Sequence, residues 1–420
     1  MRASISKSGI SGRVISPSSK SYTIRGLLCA VLARGESEII RPLGSDDTEA
    51  SLGVLSKVGV RVRQQKDCWQ VNGGNLHKPE GDLFCRDSAL TLRFMTAIAS
   101  IIPGQCHLTA GPSLAQRPIE PLIQALRQLG VDCHYQAKPA CVIVNGNKLI
   151  GGVTNLPGNI SSQFVSALLL VSPFTDEGMT IKVTTPLESQ SFVLMTLECL
   201  KLFGIKVKFS ADLREFETAR QVYQPTKYIV ESDWSSASYL LAMGALTGEV
   251  VVENLNPESF QGDKAIINFL KDMGALVTID QNSIRVRKSR LKAIKTNLID
   301  CIDLLPTLAI LAAAAEGESQ FTGIARARLK ESNRVVAIRE GLERMGIKVT
   351  EEEDRLSITG ASPKGAVIDS KNDHRIAMAF SLLGSLAGGT TIEQAECVGK
   401  TYPEFWEILK GVGGEVKLDE

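Results

Sequence analysis

Leu342-Glu-Arg-Met-Gly346 closes an amphipathic run and opens onto Ile347-Lys-Val-Thr350, a strand-like alternation. The same phrase (Leu, two residues, an apolar residue, Gly) stands at Leu55-Ser-Lys-Val-Gly59, Leu126-Arg-Gln-Leu-Gly130, Leu200-Lys-Leu-Phe-Gly204, Leu270-Lys-Asp-Met-Gly274 and Leu409-Lys-Gly-Val-Gly413. Successive glycines are 67 to 74 residues apart. Gly at such a place marks a helix that ends in positive φ. Six copies at one spacing predict a repeat architecture before any chemistry is considered.

A period of about 70 residues exceeds the roughly 20–50 of a solenoid turn. It fits two strand–helix passes and a return strand. A further run opens each copy upstream, at Lys20, Ser88, Ser161, Ser235, Asp303 and Asp373. These runs are apolar almost all round, as core helices are, and Ser and Asp are helix-start residues. Six units in 420 residues predict an α/β (α+β) chain of two domains with three units each. The boundary is expected near Tyr223–Glu231, where Gln224-Pro-Thr-Lys227 interrupts the pattern. The simpler alternative is one continuous α/β domain.

With 47 basic and 46 acidic residues the net charge is +1, which argues against a nucleic-acid or membrane-surface binder. No apolar run approaches the ~18 residues of a transmembrane helix, and Met1-Arg-Ala-Ser-Ile-Ser-Lys-Ser-Gly9 lacks a signal-peptide core. Nine Cys with no CxxC pair fit reduced thiols and a cytoplasmic location. Four His argue against a His-rich metal centre. No metal is expected.

Charged side chains gather at the starts of the upstream helices and in the loops before the second helices. They are Lys20, Arg25, Arg117, Arg328, Lys330, Glu331, Arg334, His374, Arg375 and Lys400. Helix N-termini attract anions. Arg suits bidentate carboxylate or phosphate contacts, and Lys acts as a point charge. Singly, each reads as a solvated surface charge. Their repeated placement before apolar helices points to a receptor for phosphate and carboxylate groups.

Eight short motifs then fall in one order: Ser19-Lys-Ser-Tyr-Thr-Ile-Arg25, Arg117-Pro-Ile119, Ser161-Ser-Gln-Phe164, Asp233-Trp-Ser-Ser-Ala-Ser-Tyr239, Gln261-Gly-Asp263, Lys330-Glu-Ser-Asn-Arg334, Asn372-Asp-His-Arg375 and Lys400-Thr-Tyr-Pro403. In these the chain resembles the 5-enolpyruvylshikimate-3-phosphate (EPSP) synthase family over essentially its whole length. The resemblance implies the two-domain enolpyruvyl transferase fold, with six βαβαββ repeats, three per domain, closing like a clam on the substrates. The domains would be 1–17 with 233–420, and an inserted 18–232. It also implies transfer of the enolpyruvyl group of phosphoenolpyruvate to the 5-hydroxyl of shikimate 3-phosphate by addition and elimination, with release of phosphate. No organic cofactor, nucleic acid or membrane is implied, and a monomer is expected.

By the same resemblance Asp303 is the base for the hydroxyl, Glu331 the acid for C3, and Lys20 touches both substrates and shares proton transfer. Read from the residues alone, Asp303 is a helix cap and Glu331 an exposed helix-start carboxylate. Lys20, Arg117, Gln163, Arg334, Arg375 and Lys400 would hold phosphoenolpyruvate. Lys20, Ser21, Arg25, Ser161, Ser162, Gln163, Ser189, Asp303 and Lys330 would hold shikimate 3-phosphate. His374 would support the leaving phosphate or serve as a structural hydrogen-bonding residue.

Where the family usually has Gly-Asn-Ala/Ser-Gly-Thr, two residues, then Arg, this chain has Arg86-Asp87-Ser88-Ala89-Leu90-Thr91-Leu92-Arg93. A Cβ at Ala89 in the Ser88-Ala89-Leu90 loop predicts low sensitivity to glyphosate, which competes with phosphoenolpyruvate. Phe192 replaces a usual Tyr, and Arg326 a frequent Asn. UDP-N-acetylglucosamine enolpyruvyl transferase is disfavoured by Pro112, where it commonly carries Cys, and by Ser21, where it carries Asn. The balanced charge and Lys330-Glu-Ser-Asn-Arg334 disfavour an RNA 3′-terminal phosphate cyclase. A non-catalytic anion-binding paralogue is favoured only by the altered loop.

Overall fold

The computed structural model describes residues 1–137, 140–147 and 149–419. The chain forms two compact units, Met1–Pro17 with Ser232–Glu420, and Ser18–Glu231. Each unit has its own apolar core. Among the described residues there are six four-stranded sheets. In every sheet an outer strand runs parallel to its neighbour, and the remaining pairings are antiparallel. A parallel pair needs a crossover. Gly152–Leu156, for example, reaches Met179–Val183 through the helix Ser162–Val171.

Two sheets of the first unit take strands from the N-terminus. Arg2–Ile5 pairs with both Thr390–Glu393 and Val416–Asp419. Ser11–Ile15 pairs with Glu249–Glu253. In the second unit Lys227–Ile229, near its end, pairs with Gly35–Ile40, near its start.

All six repeated phrases end helices in the same way. At Gly59 (φ +88°), Val60 N–H donates to Leu55 O at 3.1 Å and Gly59 N–H to Ser56 O at 3.2 Å. This is the paired closure of a Schellman end. The same bonds recur behind Gly130, Gly204, Gly274, Gly346 and Gly413. A Cβ on Gly59 would also meet the His77 ring at 2.1 Å.

The upstream runs are the core helices Lys20–Leu32, Ala89–Ile98, Ser162–Val171, Trp234–Thr247, Leu305–Ala313 and His374–Ala387. Each buried Leu, Ile or Phe contributes roughly 1.5–3 kcal/mol. Two starts differ from expectation. Asp233, rather than Ser235, begins the fourth, accepting from Ser236 N–H at 2.7 Å. Asp303 caps nothing: it lies in a 3₁₀ turn, Ile302–Leu304, that leads into the fifth. Its carboxylate is engaged elsewhere.

Candidate active site

In the unit Met1–Pro17 with Ser232–Glu420, the guanidinium of Arg334 is 1 % exposed and meets three carboxylates. Its Nη1 donates to Asp303 Oδ1 at 2.7 Å and its Nη2 to Glu331 Oε2 at 2.6 Å. Asp373 accepts twice, from Nε at 2.8 Å and from Nη2 at 3.2 Å. Asp303 also lies 3.3 Å from Lys330 Nζ and 3.5 Å from Arg375 Nη2. The helix Arg334–Arg344 begins at Arg334, capped by Asn333, and His374–Ala387 is capped by Asp373. Two helix starts, one 3₁₀ turn and the segment just before Arg334, which carries Lys330 and Glu331, thus deliver the cluster. Asp303, Glu331, Lys330, Arg334 and Arg375 come together.

The cluster sets the protonation of its members. Burial opposes ionisation of Asp303, but Arg375, Lys330 and Arg334 outweigh it and hold its carboxyl well below the ordinary range. Burial pushes Lys330 down to about 8, against the pull of Asp303. Burial, then the negative field of Asp303, pushes Asp263 up to about 7. The Asp263 carboxylate accepts from the Ser235 hydroxyl. Gln261, of the same motif, holds the start of Trp234–Thr247: it accepts from Trp234 N–H at 3.1 Å and donates to Ser232 O at 2.8 Å. Burial holds His374 well below its usual value, so it is a neutral imidazole. Its buried Nδ1 has no hydrogen-bond partner among the described residues; Asp373 Oδ1 is 3.7 Å away. Lys400 ends the 3₁₀ helix Ala395–Lys400, and its charge reaches His374.

Arg328 turns away from this cluster. It pairs with Glu351 at 2.5 Å, and Glu351 also accepts from Arg339 at 2.7 Å. Arg326, standing where Asn is frequent, donates to Ile299 O at 2.8 Å.

The unit Ser18–Glu231 is built differently. Arg25 is 0 % exposed and donates to Thr196 Oγ1 at 2.8 Å, Ser21 O at 3.0 Å and Phe192 O at 3.0 Å. Its guanidinium carbon lies 5.3 Å from the centre of the Phe94 ring and 5.9 Å from that of Phe192. All three acceptors are neutral, and burial lowers its pKa. Arg93 follows the same plan, donating to Ser161 Oγ at 3.0 Å, Gln163 Oε1 at 2.9 Å and Pro118 O at 2.9 Å, over the ring of Phe164. Ser161 caps Ser162–Val171. Ser189 precedes Gln190–Leu202 in a left-handed conformation, φ +53°. Lys20, in the first turn of Lys20–Leu32, is paired with Asp47 at 2.8 Å.

The altered loop keeps a structural task. Ser88 caps Ala89–Ile98. Asp87 Oδ1 accepts from Leu114 N–H at 3.0 Å, and Arg86 O from Gly111 N–H at 2.7 Å. Together with Arg93 these bonds pin the segment that carries Arg117. Arg86 stands at φ +49°, a left-handed conformation that costs a non-glycine residue about 1–2 kcal/mol. The family pattern has Gly there. Ala89 and Leu90 are buried.

Asp373, Arg93, Asp47 and Asp263 were not singled out from the sequence as site residues. Asp373 and Asp263 lie inside quoted motifs. Arg93 closes the altered family pattern quoted above, whereas Asp47 carries no signal that a single sequence could reveal. Among the described residues no group of three or more His, Cys, Asp or Glu could hold a metal ion.

The pattern of the EPSP synthase (3-phosphoshikimate 1-carboxyvinyltransferase) family matches residues 6–409. A 3-phosphoshikimate 1-carboxyvinyltransferase of Dehalococcoides mccartyi is 49 % identical over 421 residues, covering the full length of both chains. One of Methanosarcina acetivorans is 40 % identical over 427 residues, covering 99 % of each chain. The structure of an EPSP synthase from Acinetobacter baumannii superposes with a TM-score of 0.84 at 28 % identity, over 99 % of this chain and 100 % of that one.

Proposed function

The chain belongs to the EPSP synthase family and catalyses enolpyruvyl transfer in the shikimate pathway, and we propose that Asp303, Glu331 and Lys20 carry its proton transfers. The observation that supports this most directly is the cluster in which Asp303 and Glu331 share one buried guanidinium. The 5-hydroxyl of shikimate 3-phosphate adds to C2 of phosphoenolpyruvate and gives its proton to Asp303. Glu331 protonates C3. Glu331 then takes back a proton from the C3 methyl as the tetrahedral adduct expels phosphate, which leaves the enol ether of the product. Glu331 accepts from Arg334 in this arrangement, so proton delivery requires Arg334 to be drawn to the incoming anion.

Arg334, Arg375, Arg117, Lys400, Gln163 and Lys20 are assigned to phosphoenolpyruvate. Ser161, Ser162, Ser189, Gln163, Ser21, Arg25, Lys20, Asp303 and Lys330 are assigned to shikimate 3-phosphate. His374, being neutral, would support the leaving phosphate as a hydrogen-bonding group and not as a cation. The reading includes a monomer and a cytoplasmic location, the latter supported by nine free cysteines. No helix among the described residues is long and apolar enough to cross a membrane. Phosphate release from purified protein that needs both substrates is the expected result. Release with either one omitted, or none with both, would reject it.

Lys330 gives the reading a pH signature. Above about pH 8 it loses its charge, and both Asp303 and an anionic substrate lose a cation. kcat/KM is therefore expected to fall as pH rises through about 8. Lys330→Arg, whose guanidinium stays charged, is expected to move that limb to higher pH. The fall is not unfolding. A Lys whose folded pKa lies below its unfolded ~10.4 makes stability rise with pH between those values. A flat wild-type profile from pH ~7 to ~9.5 would remove Lys330 from the site.

Glyphosate resistance is proposed from Ala89. Ala89→Gly should increase inhibition by glyphosate in competition with phosphoenolpyruvate. Potent competitive inhibition of the unaltered enzyme would end the proposal.

A further inference from the structure

Arg334 has more carboxylate partners than a substrate-binding arginine can keep. Three carboxylates take four of its donor contacts, and an incoming phosphoenolpyruvate brings further anionic groups to the same guanidinium. Some partners must let go. The geometry ranks them. Glu331 and Asp303 each hold Arg334 by one bond, and their side chains are 13 % and 11 % exposed. Asp373 holds it by two, is 0 % exposed, and is fixed on its other sides. It accepts from Arg375 N–H at 3.0 Å as the cap of His374–Ala387 and from the Ser332 hydroxyl at 3.0 Å.

We propose that Asp373 is a positioning residue for phosphoenolpyruvate: it is the permanent partner that keeps Arg334 aimed while Glu331 and Asp303 are exchanged for the substrate anion. The inference rests on the assignment of Arg334 to phosphoenolpyruvate made above. It gives one residue two linked tasks. Through its side chain Asp373 orients Arg334, and through the helix cap it fixes the start that carries Arg375. It also explains how a buried arginine can neutralise the base and acid and still bind substrate. Release of Glu331 and Asp303 is then coupled to arrival of the anion that they must act on.

Asp373→Asn keeps an oxygen for the helix cap but loses the charge and one of the two acceptors for Arg334. The KM for phosphoenolpyruvate is expected to rise on the order of 10- to 100-fold, by analogy with loss of the partner that orients a metal-ligating side chain. The KM for shikimate 3-phosphate should stay within about twofold, since Asp373 touches none of the groups assigned to it. Unchanged phosphoenolpyruvate KM, or an equal rise in both KM values, would overturn the proposal. If Asp373→Asn does not fold, Ser332→Ala is the second variant. It frees one lone pair on Asp373 and should raise the phosphoenolpyruvate KM several-fold while sparing the other. No selective rise would be equally fatal. Wild-type turnover is measured alongside: its absence would reject the assigned activity, whereas its presence with insensitive variants would reject only the role of Asp373.

Discussion

Asp303→Asn is expected to lower kcat by on the order of 10²–10⁴, the usual worth of a general base, while anion binding is retained or tightened. The two halves of this expectation come from one arrangement. Asp303 is the meeting point of Arg334, Arg375 and Lys330. With those cations around it, its carboxyl is held far into the ionised form, so at rest it is a weak base. On the assignment proposed above, an arriving phosphoenolpyruvate would take up Arg334 and Arg375, and Asp303 would gain basicity when the hydroxyl needs it. Asn has nearly the same shape, yet it neither takes a proton at neutral pH nor competes for the cations. Titration calorimetry with phosphoenolpyruvate would then show equal or tighter binding by a variant that turns over poorly. Retention of more than about a tenth of wild-type kcat would remove Asp303 from the chemistry.

The same substitution has a stability signature. A carboxylate whose pKa is depressed on folding contributes stability that is present above its unfolded value of ~3.9 and is lost as pH falls through the folded one. Wild type should therefore melt above Asp303→Asn at pH 7, with the gap closing below about pH 4. A gap that widened on acidification would contradict the ion pairing.

What a single sequence could disclose, and what it could not, divides at the side chain. The six Gly positions predicted helix ends, and each is one, because a positive-φ turn leaves a local mark. The six apolar runs predicted core helices, and only the exact starts at Asp233 and Leu305 differ. The resemblance to EPSP synthases holds across residues 6–409. Residue type was thus legible for Asp303, Glu331, Lys330, Arg334 and Arg375, and a helix start for Arg334 and Arg375, whereas Asp303 lies in a 3₁₀ turn and Glu331, largely buried rather than exposed, lies in the segment before Arg334–Arg344. Direction was not. Arg328 sits in the same short stretch as Arg334 but turns to Glu351, and nothing in its spacing announces that. Partners were hidden too. Arg93 meets Gln163 across 70 residues, and Lys20 meets Asp47 across 27. Such pairs exist only once sheets and helices have packed. The crowding at Arg334, shared by three carboxylates, could not be read from motifs at all.

Arg25→Met is expected to cost little or no stability and on the order of 100-fold in affinity for shikimate 3-phosphate. Arg25 is the opposite of Arg334. It is fully buried, yet its acceptors are a hydroxyl and two carbonyls, and its flanks are the Phe94 and Phe192 rings. No carboxylate is among these partners. Burying a cation in that way is unfavourable, and the downward shift of its pKa records the cost. Met fills a similar volume in Lys20–Leu32. The carbonyls of Ser21 and Phe192 lie in helices and keep their helical partners, while Thr196 still donates to Ser166 Oγ at 2.9 Å. What is lost is roughly 0.5–2 kcal/mol per ring contact, set against relief of an uncompensated buried charge. What a ligand loses is larger, because removing one side of a desolvated charge pair costs about 2–5 kcal/mol. A cation held among neutral oxygens fits a site whose counter-ion is the carboxylate of the substrate, so the fold carries a cost that binding recovers. Thermal melting and calorimetry on the one variant decide it. A melting point more than ~5 °C below wild type would make Arg25 a structural strut. Unchanged affinity would mean that its charge serves no ligand.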